Sequence, residues 1–234
     1  MTVSYIDRVD LTFDPRPWGF AESRRGEIAS HFARAAREKP LWNGRVLLMH
    51  DFLIGNGSFT GSYFETDFAS LLAWRDWGWP DRTVRNCFAQ AVLRGSDGGF
   101  VMGVMGAHTA NAGQVYFPSG TPDRNDIADG KVDLTRSVAR ELAEETGLSI
   151  EAFDLDPGWY AVHLPPRIAM MKIMQAHEPA DVVKRRIGDF LAGQEQPELS
   201  DVVVVRQPDD LDPRTQDYAV NFVRHIWSGQ SLNG

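Results

Sequence analysis

"DLTRSVARELAEETGL", residues 133–148, is the stretch on which the reading of the fold turns. Leu134, Val138 and Leu142 recur at helical spacing and predict an apolar stripe. Asp133 offers an N-cap carboxylate, and Gly147 can take the left-handed conformation that ends a helix. Against this well-formed helix stands one oddity. Glu141, Glu144 and Glu145 fall at i, i+3 and i+4, on one face, where like charges repel by roughly 0.2–0.5 kcal/mol per pair. A solvated acidic face tolerates that repulsion. A divalent cation among the carboxylates reverses it, and magnesium, which takes oxygen ligands and keeps several waters, needs only two or three.

Working outward, the chain after about residue 84 has a strand–turn–strand texture. Residues 86–95 and 99–108 flank "SDGG", a hairpin signal. "QVYFPSG" (114–120) predicts a third strand, and 121–132 a polar loop into the helix. Strands over 159–177 broken by Pro165-Pro166, a helix over 180–193, a strand over 201–207 and a helix over 217–229 complete this part. Before it, a strand over 5–14, a helix over 22–40 and a strand pair over 44–65 lead to a helix over 67–78, with Asp67 as its cap. Strands with helices between and after them predict an α/β or α+β fold.

Residues 140–148, Arg-Glu-Leu-Ala-Glu-Glu-Thr-Gly-Leu, match R-E-U-x-E-E-x-G-U with U a bulky aliphatic, the core of the Nudix box. By average residue usage such a match arises by chance in a chain of this length at a frequency on the order of 10⁻⁵. The chain here resembles a Nudix hydrolase over roughly residues 85–228, with Pro118-Ser119-Gly120 in place of the family's Pro-Gly-Gly turn. The resemblance implies an α/β/α sandwich with a mixed sheet, formed by 85–234, and leaves 1–84 as an N-terminal α/β extension packed on it. The front of the box departs from the pattern. Where the family has a Gly fourteen residues before the Arg and a Glu eight before it, this chain has Asp126 and Val132; Gly120 lies six residues further back than the pattern asks. Asp133 or Asp129 is the expected substitute for the missing Glu.

Carried over residue by residue, the resemblance implies metal ligation by Glu141, Glu144 and Glu145, with Mg²⁺ as the ion and Mn²⁺ a substitute. Glu141, Glu145 and a later acid, for which Glu198 in "GQEQPELSD" is the choice, are the catalytic candidates. Arg140 is expected to pair with a carboxylate that holds the helix. Arg167, beside the Pro-Pro turn, is a candidate for reaching a phosphate, and Trp77 and Trp79 for stacking on a base or sugar; for the tryptophans the alternative is packing between the extension and the core.

"FAESRRGEIASHF" (20–32) and "PLWNG" (40–44) loosely resemble the region ahead of the Nudix domain in animal UDP-sugar pyrophosphatases. That places a nucleotide sugar slightly ahead of other substrates. The implied activity is hydrolysis of a phosphoanhydride in a nucleoside diphosphate linked to another group. The rival is a Nudix-fold regulatory domain that binds a nucleotide without cleaving it.

Bulk properties bound the alternatives. A net charge of −8 argues against nucleic acid and anionic membrane as partners and leaves a small nucleotide, its charge met by a metal, open; so too is a homodimer. The single cysteine, Cys87, excludes an internal disulfide and fits a reducing, cytoplasmic setting. The six histidines show no metal-ligand spacing, and neither a P-loop nor a G-x-S-x-G elbow is present.

Overall fold

The computed structural model describes residues 2–230. Among these residues it is an α+β fold of two mixed sheets and six helices, in which each half of the chain lends strands to the other half's sheet. β1 (Thr2–Ile6) leads at once into β2 (Arg8–Phe13). Two consecutive helices follow, α1 (Gly19–Ser23) and α2 (Arg25–Glu38), and then the long pair β3 (Arg45–Gly55) and β4 (Ser58–Asp67). The Asp67 carboxylate accepts the Ser70 N–H at 2.8 Å and so caps α3 (Phe68–Asp76), while the Asn43 side chain takes the Ala69 N–H at 2.7 Å. Gly78 and Trp79, both at positive φ (78° and 60°), turn the chain sharply off the end of α3.

Beyond this turn come β5 (Asn86–Arg94) and β6 (Phe100–Met105), joined by the expected hairpin. The predicted third strand is two short ones: β7 (Val115–Tyr116) pairs with β6 and β8 (Ser119–Gly120) with β5. The polar loop holds a one-turn helix (Arg124–Asp126) and a small hairpin, β9 (Ile127–Ala128) with β10 (Lys131–Val132). Next are α4 (Leu134–Thr146), β11 (Phe153–Leu155), β12 (Trp159–Leu164), β13 (Arg167–Ala176), α5 (Ala180–Ala192), β14 (Leu199–Val205) and α6 (Asp217–Gln230).

The larger sheet runs β1-β12-β13-β5-β6-β14, with β13 parallel to β5 and the other pairings antiparallel. α4 packs on β5 and β8, α5 on β14 and β6, and α6 on β12 and β1. Phe222 of α6 meets Phe100, Phe117 and Tyr160 edge-on, and Tyr218 meets Phe88 at 5.2 Å between ring centroids. The smaller sheet runs β3-β4-β2-β10-β9.

Strands cross between the two halves of the chain. β1, from the N-terminal segment, forms an edge of the larger sheet, and the β9–β10 hairpin, from the loop ahead of α4, extends the smaller one. Arg124 reaches Glu65, Lys131 pairs with Asp10 at 2.5 Å, and Leu47 N–H donates to the Pro122 carbonyl at 2.7 Å. The residues ahead of β5 therefore cover the loop that carries the site and hold it in place.

Candidate active site

α4 forms as its sequence predicts. Asp133 Oδ1 accepts the N–H groups of Thr135 and Arg136 at 2.9 and 3.2 Å, and Gly147 closes the helix at φ 68°. Leu134, Val138 and Leu142 are buried beneath it. Burying that stripe against β5 and β8 sets the helix's rotation and thereby the direction of each glutamate.

The three glutamates have different environments. Glu144 is exposed. Glu141 folds over Gly120, where a Cβ would displace its carboxylate from this position. Glu145 is 2% exposed and lies under the β8 turn, one oxygen 3.3 Å from the Ser119 N–H and the other, Oε2, without a partner. The apolar stripe rotates Glu145 inward, away from solvent.

Arg140 is the lock. Its Nη2 donates to Asp126 Oδ2 at 3.1 Å and its Nη1 to Glu141 Oε1 at 2.6 Å and, at 3.5 Å, to Glu144. Asp126 is fully buried and also accepts the Asp123 N–H. The carboxylate that braces Arg140 is therefore Asp126, and neither Asp133, which caps α4, nor Asp129, which sits at positive φ in the β9–β10 turn, takes that part. The chain meets the missing glutamate at Val132 from a different point of a longer loop. The signal that could have found it is a lone acid in the one-turn helix whose N-cap, Asp123, lies three residues before it.

The electrostatics follow from burial. Desolvation raises the Glu141 carboxyl to about 7; Arg140 opposes the shift, and Glu144 and Glu198 add to it. Burial first, then the charges of Glu198 and Glu141, push Glu145 well above the usual carboxylate range. Glu198 is raised by desolvation and by Glu144. These groups carry more negative charge than Arg140 can offset, and one buried oxygen has no donor. A hard divalent cation fits that donor set, its charge and the orphaned Oε2. Among the described residues, no three His, Cys, Asp or Glu side chains already stand in ligand geometry; Arg140 bonds two of the glutamates.

The acidic turn opens into a cleft of about 680 Å³. Glu141, Ser119 and Gly120 line it, as do Glu198 and Arg167, Met105 and Asn111 of the β6–β7 region, and Phe68, Leu72, Arg75 and Trp79 from the N-terminal segment. Of the residues singled out from sequence, Glu141, Glu198, Arg167 and Trp79 come together here. Glu145 lies behind Ser119, and Glu144 is on the solvent side of α4. Trp77 does not line the cleft. It packs edge-on against Phe20 at 5.8 Å and His31 at 5.7 Å, beside Ala69 and Ala73. Arg75, Asn111, Tyr116 and Tyr218 line the cleft and carried no signal in the sequence, since each belongs to an ordinary helix, loop or strand pattern.

No protein-family model matches the chain, and no curated protein matches it. The solved structures it is similar to include Nudix hydrolases. A MutT protein from Methanosarcina mazei is 18% identical over 62% of this chain and 95% of its own, with a TM-score of 0.42. A Nudix hydrolase from Nitrosomonas europaea is 12% identical over 62% and 90%, at 0.40. A bifunctional NMN adenylyltransferase/ADP-ribose pyrophosphatase from Francisella tularensis, solved with AMP and a Mn ion, is 13% identical over 68% and 46%, at 0.44. Likeness at this level says nothing of substrate or activity, which rest on the acidic turn and its lock.

Proposed function

We propose that the chain is a Nudix-type, divalent-metal-dependent pyrophosphohydrolase. Its substrate is a nucleoside diphosphate linked to another group, with a nucleotide sugar as the leading case. The observation that carries this reading is the orphaned carboxylate oxygen of Glu145, buried near Glu141 and Glu198 with no hydrogen-bond donor among the described residues. Leaving a buried carboxylate oxygen unmet costs on the order of 1–3 kcal/mol, a cost that a bound cation removes.

Glu141, Glu144 and Glu145 are the residues that would hold the ion. Bound there, magnesium, or manganese in its place, would supply positive charge to offset that of the phosphate oxygens. The chain's own residues do the rest. Arg140, held by Asp126, fixes the rotamer of Glu141, and Gly120 admits that carboxylate to the cleft. Glu141 and Glu198 are the carboxylates that line the cleft, the first raised to about 7 and the second raised by burial and by Glu144, and either can take the proton of an attacking water.

The test is a screen with magnesium of nucleotide sugars, ADP-ribose, dinucleoside polyphosphates, dinucleotide cofactors and nucleoside triphosphates. A nucleoside monophosphate and a phosphorylated remainder are the expected products. Hydrolysis that persists undiminished in chelator, or hydrolysis of none of these, overturns the reading. Binding without hydrolysis supports the non-catalytic alternative. The proposed setting is cytoplasmic, with no nucleic acid or membrane as partner; among the described residues no helix is long and apolar enough to cross a bilayer.

A further inference from the structure

Phe68, Leu71, Leu72 and Arg75 stand at i, i+3, i+4 and i+7 on α3, hence on one face, and all four line the cleft. Three positions of that face are apolar and the fourth ends in a guanidinium. Arg75 is anchored on one side only. Its Nε donates to Asp76 Oδ1 at 2.9 Å, and its Nη1 approaches Asn111 Oδ1 at 3.5 Å. Nη2 has no partner among the described residues. Asn111 is turned toward Arg75 by its own donation, from Nδ2 to the Tyr116 hydroxyl at 3.0 Å. Asp76 is shared, since His31 Nε2 lies 2.8 Å from its other oxygen.

Arg167 is the second cation lining the cleft; each cation has an aspartate partner, but both terminal nitrogens of Arg167 are engaged, Nη1 with Gln216 Oε1 at 3.4 Å. Nη2 lies 3.1 Å from both oxygens of Asp217, and the guanidinium carbon is 5.5 Å from the centre of the Tyr218 ring. Glu141 and Glu198 line the same cleft and repel any anion that enters it. A phosphate there needs a cation with open donors. The planar fork of arginine suits phosphate oxygens, and Nη2 of Arg75 is the open donor.

We propose that Arg75, oriented by Asn111, binds a phosphate group of the substrate. It is a specificity-determining residue supplied by the N-terminal segment. Phe68, the half-buried member of that face, suits a planar base better than a sugar, whose hydroxyls would find no partner there; Leu71 and Leu72 are buried. This inference rests on the pyrophosphohydrolase reading for its substrate class.

The experiment is calorimetric titration of the full chain, in chelator, with AMP, GMP, CMP and UMP and with the four matching nucleosides. Wild type, Arg75→Ala and Arg75→Lys are compared. Wild type is expected to prefer a monophosphate to its nucleoside. Arg75→Ala should erase at least about tenfold of that preference while leaving nucleoside affinity unchanged, and Arg75→Lys should keep part of it. If Arg75→Ala fails to fold, the lysine variant and a salt titration carry the test, since added salt must then weaken monophosphate binding and spare the nucleoside. Equal losses for monophosphate and nucleoside, unchanged monophosphate binding in the variants, or no wild-type preference for the monophosphate would each overturn the proposal. Turnover is measured separately. A chain that binds monophosphates through Arg75 and hydrolyses nothing retains this inference and loses the hydrolase reading.

Discussion

The acidic turn of α4 and the inner wall of α3 meet in one cleft and are built in opposite ways. On α4 the apolar stripe is buried in the core, and the acidic turn spreads from the cleft, at Glu141, to solvent, at Glu144, with one oxygen of Glu145 left unmet under Ser119. On α3 the face toward the cleft is itself apolar, and a single arginine closes it. The first arrangement stores electrostatic cost and suits chemistry on phosphate. The second stores little and suits recognition. Changes on α4 should therefore act on turnover and on the stability of the metal-free protein. Changes on α3 should act on affinity.

The largest effect is expected at the lock. Asp126→Ala leaves Arg140 half-buried beside an emptied site, and breaking a buried ion pair from one side costs about 3–5 kcal/mol. Thermal melting should fall by roughly 10 °C or more for a chain of this size. A melting point unchanged from wild type would remove Asp126 as the brace.

Next comes Glu145→Gln, expected to reduce turnover at least about a hundredfold, a loss of roughly 2.7 kcal/mol in transition-state stabilisation. Its stability should move the other way. Because the folded carboxyl is raised above the ordinary 4.5, the metal-free wild type holds its full stability below that value and loses it as pH climbs toward the raised one. In chelator, Glu145→Gln should melt above wild type, by a margin that widens from pH 5 toward neutrality. Equal melting at every pH contradicts an unmet buried carboxylate.

The two tryptophans sharpen the contrast between wall and core. Trp79 lines the cleft and Trp77 does not. Trp79→Ala should raise KM roughly tenfold with little change in kcat, a contact equal in ground and transition states. Trp77→Ala should leave KM alone and cost about 2 kcal/mol of stability, less than a fully buried tryptophan because the ring is only half-buried. Swapped outcomes would reassign the wall.

The smallest effect is at Cys87, whose thiol burial pushes up to about 12, with Tyr63 opposing. Native protein should not react with a thiol reagent at neutral pH and should react on unfolding. Prompt labelling of the native chain would show that the strand β5 opens locally.

Local order determined what could be read in the sequence alone. The helix over 134–146, its Asp133 cap, its Gly147 stop and the shared face of Glu141, Glu144 and Glu145 all follow from spacing within four residues, the range over which a helix's own geometry acts. The same holds for the hairpin around "SDGG" and for Asp67 ahead of α3. Tertiary structure decided the rest. The pairing of Arg140 with Asp126 spans fourteen residues through a loop whose path depends on Glu65, Asp10 and β2. The placement of α3 over the acidic turn depends on strands that cross between the halves of the chain. Spacing along one element fixes which side chains share a face; only the packing of elements from distant parts of the chain fixes what that face meets.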